Sequence, residues 1–305
     1  MRITRRQLVA IGAGAAASAT LGRWPLLAQT GPLITKQIPS SKEAVPVVGL
    51  GTRSYHGGPS PDERAPLRDT LKAFVEAGGK VIDTAPSYGN SETVLGELIA
   101  ELGVRDKVFL ATKVDRPGRE AGIERMNASL ASLRVHRVDL MQVHNLVDAT
   151  TQLNTLREWK QAGRIRYAGV TTSSERQHPD LERLMRQESL DFIQLDYALD
   201  HREAAERLLP LAAERGVAVL VNLPFGRGRL FQAVGERPLP AWASEIDCKS
   251  WAQVFLKYVV SHPAVTCAIP GMTKPQHAQD NLGAARGRLP NEAMRRRMEQ
   301  LLAEL

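Results

Sequence analysis

Eight short apolar segments alternate with eight amphipathic ones between residues 47 and 285, and few architectures accommodate that rhythm. The apolar segments are 47–52, 81–83, 108–112, 138–143, 166–170, 191–195, 217–221 and 265–269, each short enough to read as a buried strand. The segments between and after them are 67–77, 92–102, 119–133, 151–162, 179–187, 203–215, 249–260 and 276–285. These carry apolar residues at helical spacing, and glycines such as Gly78, Gly79 and Gly163 close them. Repetition of this kind over about 250 residues predicts an α/β fold of the (β/α)8 TIM-barrel type. A doubly wound sheet normally uses fewer units and opens on a glycine-rich first turn, which is missing here. In front of the barrel, segments 33–38 and 44–47 flank a turn-rich stretch and predict a β-hairpin. Behind it, 290–305 predicts one extra helix whose Met294, Met298, Leu301 and Leu302 pack on the barrel's outside.

A chain of 305 residues with 43% hydrophobic content can bury a core of this size. The formal charge of +7 is concentrated at one end. Residues 1–28 hold Arg2, Arg5, Arg6 and Arg23 and no acid, which leaves 36 basic against 33 acidic residues in 29–305. So mild a balance argues against nucleic acid as a partner. Arg5-Arg6 before a short run rich in Gly and Ala, then Leu26-Leu27-Ala28, looks like a twin-arginine export signal. The expected localisation is therefore periplasmic or exported, with the export machinery as a partner and no stable membrane insertion once the signal is removed. Retention of an uncleaved signal as a tether is the lesser alternative. Gly12-Ala-Gly14-Ala-Ala-Ala17 matches a dinucleotide fingerprint, but no strand precedes it and the first acid is Glu43, so its required context fails. Cys248 and Cys267 form neither a disulfide framework nor a metal pattern and are expected as free thiols, with no metal site.

In a parallel barrel, residues at the carboxyl ends of strands share one mouth. The second strand ends in Asp83, with Tyr88 just beyond; the third ends in Lys113 and the fourth in His144. Each residue alone has an ordinary structural use as a cap or a solvated charge. Four such groups on three successive strands suit the reduction of a carbonyl. A tyrosine hydroxyl is a poor acid at neutral pH, an adjacent ammonium such as Lys113 favours its ionisation, and Asp83 holds that ammonium in place. His144 is positioned to donate to a carbonyl oxygen. None of the four can supply a hydride, so a cofactor must.

These residues sit in a series of short motifs: Gly49-Leu-Gly-Thr52, Asp83-Thr-Ala-x-x-Tyr88-Gly followed by Glu92, Ala111-Thr-Lys113, and Asp139-Leu-x-x-x-His144. Tyr167-x-Gly169-Val, Gln194-x-x-Tyr197 and Ile269-Pro-Gly271 complete it. In order and spacing the chain resembles the aldo/keto reductase superfamily over nearly everything after the signal. The resemblance implies a small-molecule carbonyl substrate, Tyr88 as acid, Lys113 and Asp83 tuning it, His144 orienting the carbonyl, and NADPH extended across the mouth. It also implies that Gln194 bonds the nicotinamide carboxamide, that Thr171 and Thr172 replace a usual Ser-Asn pair, and that Asp280 and Asn281 contact the adenine. Residues 224–230, with Pro224, Phe225, Gly226, Gly228 and Leu230, correspond to the loop over the pyrophosphate, and Gly271 is counted with the cofactor contacts. Two departures stand out: Asn222 replaces an aromatic that stacks on the nicotinamide, and His277 replaces the usual base for the 2′-phosphate, with Lys274 nearby. NADH is therefore not excluded. A nucleotide-binding sensor or partner protein with a slow residual site is the alternative reading. Substrate choice is expected from loops 56–66, 116–118, 145–150 and 227–247. In and around them, Arg53, Tyr55, Arg116 and Trp242 permit an acidic or a flat aromatic carbonyl.

Overall fold

A computed structural model describes residues 31–58 and 60–304, so the expected export signal lies outside the described residues. β1 (Thr35–Gln37) and β2 (Ala44–Pro46) form the expected antiparallel hairpin, Thr35 opposite Pro46. The strands β3 (Leu50–Gly51), β4 (Val81–Asp83), β5 (Phe109–Val114), β6 (Val138–Val143), β7 (Ile165–Thr171), β8 (Phe192–Asp196), β9 (Ala218–Asn222) and β10 (Cys267–Ala268) pair in parallel, in chain order. Parallel bridges from Val48 to Ala268 and from Gly51 to Gly271 join the last strand to the first and close the barrel.

The connections are helical: α1 (Pro61–Glu76), α2 (Ser91–Leu102), α3 (Arg119–Ser132), α4 (Ala149–Gln161), α5 (His178–Gln187), α6 (Leu208–Arg215), α7 (Arg229–Val234), α8 (Trp251–Ser261) and α9 (Pro275–Gly283). The last helix, α10 (Glu292–Ala303), buries Met298 completely and rests Met294, Leu301 and Leu302 against the outer core, as its spacing predicts. Among the described residues no helix is long and apolar enough to cross a membrane.

Two helices depart most from expectation. The helix expected from residue 67 starts at Pro61, because Ser60 and Glu63 form a reciprocal capping box and a proline at the first helical position costs nothing there. The helix expected over 203–215 is split into a single turn at Glu203–Ala205 and α6. Pro210 has no N–H to bond backwards, and restarting the helix at Leu208 keeps it in the first turn. Asn90 takes the cap position of α2 without a capping bond. Its amide instead donates to the Gly57 carbonyl at 2.8 Å, while Ser91 donates to the Thr52 carbonyl at 2.9 Å.

Side chains alternate between two cores. One row packs between strands and helices; the other fills the barrel with Val81, Phe109, Leu140, Tyr167, Phe192, Leu220, Cys267 and Ile269. Phe109, Tyr167 and Phe192 meet with ring centroids 5.5–5.8 Å apart. The hairpin plugs the amino-terminal end of this core: Ile38 and Val45 join it, and Tyr167 donates its hydroxyl to Glu43 at 2.7 Å. Both cysteines are buried and free, as expected. With the bottom sealed, polar groups above the aromatic layer face only the carboxyl-terminal mouth.

Candidate active site

Above the aromatic layer the inward rows become polar, and they meet at one carboxylate. Lys113 follows Phe109 and Ala111 on the inward row of β5, and its ammonium donates to Asp83 Oδ2 at 2.6 Å and to the Thr84 carbonyl at 2.8 Å. Both partners are buried, at 0% and 2% exposure. Burial pulls the Lys113 ammonium towards neutrality, but the Asp83 carboxylate, aided by Tyr88, outweighs it and holds the lysine above its ordinary value. The other Asp83 oxygen accepts from Gln194 at 2.9 Å and from Gln142 at 3.2 Å. The ammonium lies 5.1 Å from the centre of the Tyr88 ring. Asp83, Tyr88 and Lys113 are therefore brought together as expected.

His144 joins them from the turn after β6, its ring meeting the Tyr88 ring edge-on at 6.1 Å between centroids. Asn145 and Leu146 behind it take left-handed backbone conformations, φ 50° and 59°, and the Asn145 N–H donates to Thr171 Oγ1 at 3.0 Å. Ser87 Oγ lies 3.4 Å from His144 Nδ1. Burial first, then the Lys113 charge, push the imidazole down to about 4 from 6.5. At neutral pH it is an uncharged ring with one N–H to donate.

That state has a pH signature. The kcat/KM profile is expected to show no acid limb near the ordinary histidine value of about 6.5 and to fall only as pH approaches about 4. An inflection near neutrality that disappears in His144→Gln would overturn the neutral assignment. The same shift sets a stability slope. The folded value lies below the unfolded one, so the unfolded chain takes up a proton first, and stability falls as pH drops from about 6.5 to about 4. His262, half-buried near Arg295 and Lys36 and likewise lowered to about 4, adds to that slope.

Asp83, Tyr88 and His144 line a cavity of about 660 Å³ at the barrel mouth. Of the expected cofactor residues, Asn222, Pro224, Phe225, Gly228 and Gly271 line it too. The loop bearing three of them turns through left-handed backbone at Leu223, Gly226, Arg227 and Gly228, uncommon for Leu and Arg. Gly226 is buried in that loop and Leu230 in α7 behind it, and neither lines the cavity.

Thr171, Thr172 and Gln194 lie outside the lining. Thr171 braces Asn145, Thr172 N–H donates to the Gln194 carbonyl at 2.8 Å, and the Gln194 amide is held by Asp83 on one side and Asn222 on the other. Asp280 accepts from Ser250 and Gln253, both at 2.8 Å, at the start of α8. Asn281 is buried, while Lys274 and His277 are exposed at the start of α9. None of these four lines the cavity. Of the residues expected to govern substrate choice, Arg53 lines it. Tyr55 and Trp242 are buried in the outer core, and Arg116 pairs with its neighbour Asp115 outside the cavity.

Sequence reasoning passed over Gln142 and Ser87. Gln142 was findable, since it precedes His144 by two on one inward row; Ser87 acquires its role only from the approach of β6. Two buried acceptors at this level have no partner in the protein, Asn222 Oδ1 and Gln142 Oε1. A larger cavity of about 760 Å³ lies near Glu43, Lys80, Arg137 and Arg166, and none of the four catalytic candidates lines it. Glu175, His201 and Glu203 group elsewhere as possible metal donors, but the His201 ring is already bracketed by Asp196 at 2.7 Å and Glu203 at 3.0 Å.

Comparison with known proteins accords with this geometry. The aldo/keto reductase family profile matches residues 47–301. Aldo-keto reductase YhdN of Bacillus subtilis is 33% identical over 200 residues, which span 60% of this chain and 59% of YhdN, less than two thirds of either. Methylglyoxal reductase YeaE of Escherichia coli is 30% identical over 250 residues, spanning 79% of this chain and 86% of YeaE. An aldo-keto reductase from Klebsiella pneumoniae, solved in complex with NADPH, superposes with a TM-score of 0.74 at 25% identity, covering 89% of this chain and 96% of that one. The chain belongs to the aldo/keto reductase family.

Proposed function

We propose that this protein is an NAD(P)H-dependent oxidoreductase that interconverts aldehydes or ketones and alcohols. The observation that carries the reading is the buried Lys113–Asp83 pair, 2.6 Å apart, beneath Tyr88 in a cavity that His144 also lines. The nicotinamide nucleotide, when bound, supplies the hydride. The site fits such a group: Asn222 Oδ1 is a buried acceptor without a partner in the cavity wall, suited to the N–H of a carboxamide. Gln194 orients Asn222 rather than reaching the cavity itself. Phe225 offers a ring, and Gly228 with Arg227 a cationic loop for the phosphates. The exposed Lys274 and His277 are assigned to the 2′-phosphate; Asp280, whose carboxylate is held by Ser250 and Gln253, is given no cofactor contact.

In the reduction, His144 donates its single N–H to the carbonyl oxygen and fixes its direction. Tyr88 delivers its hydroxyl proton to the same oxygen as negative charge develops there. Lys113 stabilises the phenolate left behind, and Asp83 keeps the ammonium charged and immobile. The decisive assay follows NADPH and NADH consumption with a reactive aromatic aldehyde, in the chain and in Tyr88→Phe. Nucleotide retained without turnover would make the chain a nucleotide-binding sensor instead.

The export route belongs to the same proposal, supported by Arg5-Arg6, the small-residue run behind them and the near-neutral remainder of the chain. Replacing Arg5 and Arg6 by Lys is expected to shift the protein from the periplasmic to the cytoplasmic fraction of a twin-arginine-competent host. An unchanged distribution would remove the signal from the reading.

A further inference from the structure

The wall of the catalytic cavity holds a cation that the reduction scheme leaves unused. Arg53 lines the cavity with Asp83, Ser87, Tyr88 and His144, and among the described residues it makes no ion pair. The one carboxylate in the lining is Asp83, already committed to Lys113. Arg53 is therefore an exposed guanidinium without a counter-charge, beside the tyrosine assigned as proton donor.

Its place in the wall is fixed by its neighbours. Thr52 donates both its N–H and its hydroxyl to the Asp83 carbonyl, each at 3.0 Å, and Ser91 donates to the Thr52 carbonyl. At the other end of the loop, Asn90 holds the Gly57 carbonyl. The segment bearing Arg53 is thus stapled to the turn bearing Tyr88 on both sides. A Cβ at Gly49 or Gly51 would come 2.7 Å from the Val81 or Ile269 carbonyl oxygen, so the chain at β3 has no room for a side chain there, whereas Arg53 lies in the turn after β3 and lines the cavity. The other cation of the lining that no buried partner claims, Arg227, lies on the loop after β9, beside Phe225 and Gly228 and on the side assigned to the nucleotide phosphates.

We infer that Arg53 is a specificity-determining residue that binds the carboxylate of an acidic carbonyl substrate, an oxo acid or a carboxylated aldehyde, while Tyr88 and His144 engage its carbonyl oxygen. A planar guanidinium presents two parallel N–H donors to a carboxylate, and no acid in the wall competes for them. The inference rests on the reductase reading above and deepens it by naming the substrate class.

The test compares 4-carboxybenzaldehyde with its methyl ester in the full-length chain, in Arg53→Gln and in Arg53→Lys. In the native chain kcat/KM is expected to favour the acid. The acid-to-ester ratio is expected to fall by about tenfold or more in Arg53→Gln, chiefly through KM for the acid, and to be partly kept in Arg53→Lys. An equal ratio in all three proteins, with both compounds still reduced, would overturn the role of Arg53 and leave the reductase reading standing. Loss of both compounds to the same degree in Arg53→Gln would make the residue structural. Weaker NADPH binding in that variant, followed by fluorescence titration, would assign the guanidinium to a cofactor phosphate. Failure to reduce either compound in the native chain would overturn the reductase reading, and the inference with it.

Discussion

Tyr88→Phe is expected to lower kcat by about 10²- to 10⁴-fold, the usual worth of a positioned proton donor, while the NADPH dissociation constant stays within about twofold. The substitution removes one oxygen and keeps the ring, so the edge contact with His144 and the approach of the Lys113 ammonium to the ring face persist. What is lost acts only as the carbonyl oxygen gains charge, and so the deficit belongs in kcat rather than in substrate binding. Stopped-flow oxidation of bound NADPH separates the two. Turnover in Tyr88→Phe within tenfold of the native chain would remove Tyr88 from its assigned role. Equal loss of nucleotide binding would show that the hydroxyl organises the site instead.

Asp83→Asn is the second large effect. The variant keeps an acceptor for Gln142 and Gln194 but leaves the Lys113 ammonium fully buried without its counter-charge, with the Thr84 carbonyl as its remaining neutral partner. Breaking a buried pair on one side costs about 3–5 kcal/mol, read as a lowered midpoint in urea. The double variant Asp83→Asn/Lys113→Met removes both charges and is expected to recover most of that loss, to within about 1–2 kcal/mol of the native chain. It should nonetheless remain inactive, because the phenolate of Tyr88 then has no cation beside it. A double variant as unstable as the single one would refute the coupling of the two charges. Recovery of stability together with activity would show that the pair serves the fold alone.

The contrast between those two outcomes follows from how the site is built. Strand alternation places Asp83 and Lys113 inward at the level of the mouth, and a reader of residues 81–88 and 111–113 needs only the two-residue period to expect it. The eight strands, the hairpin and the outer packing of Met298 were legible for the same reason, since each depends on the spacing of apolar residues within one segment. The start of α1 was also local, in the Ser60–Glu63 box, but Pro66 masked it. The split before α6 is a proline effect that the apolar spacing of 203–215 hides.

The remaining features join residues far apart in the chain. Gln194 lies 111 positions from Asp83, and its amide, assigned to a cofactor on resemblance, is spent on that carboxylate. Asp280 is likewise spent on Ser250 and Gln253 at the start of α8. His144 is lowered to about 4 because the fold half-buries its ring and sets the Lys113 charge against it. Among the described residues Arg53 makes no ion pair, because the one carboxylate in its cavity wall, Asp83, is committed to Lys113.

By itself, then, the sequence determined the barrel, its polarity and the four residues at its mouth, because strand period and strand order are local properties of the chain. Only the tertiary structure decided which polar groups are already satisfied and which remain free to meet a ligand. That division depends on hydrogen-bond distances and desolvation between elements that no local pattern relates.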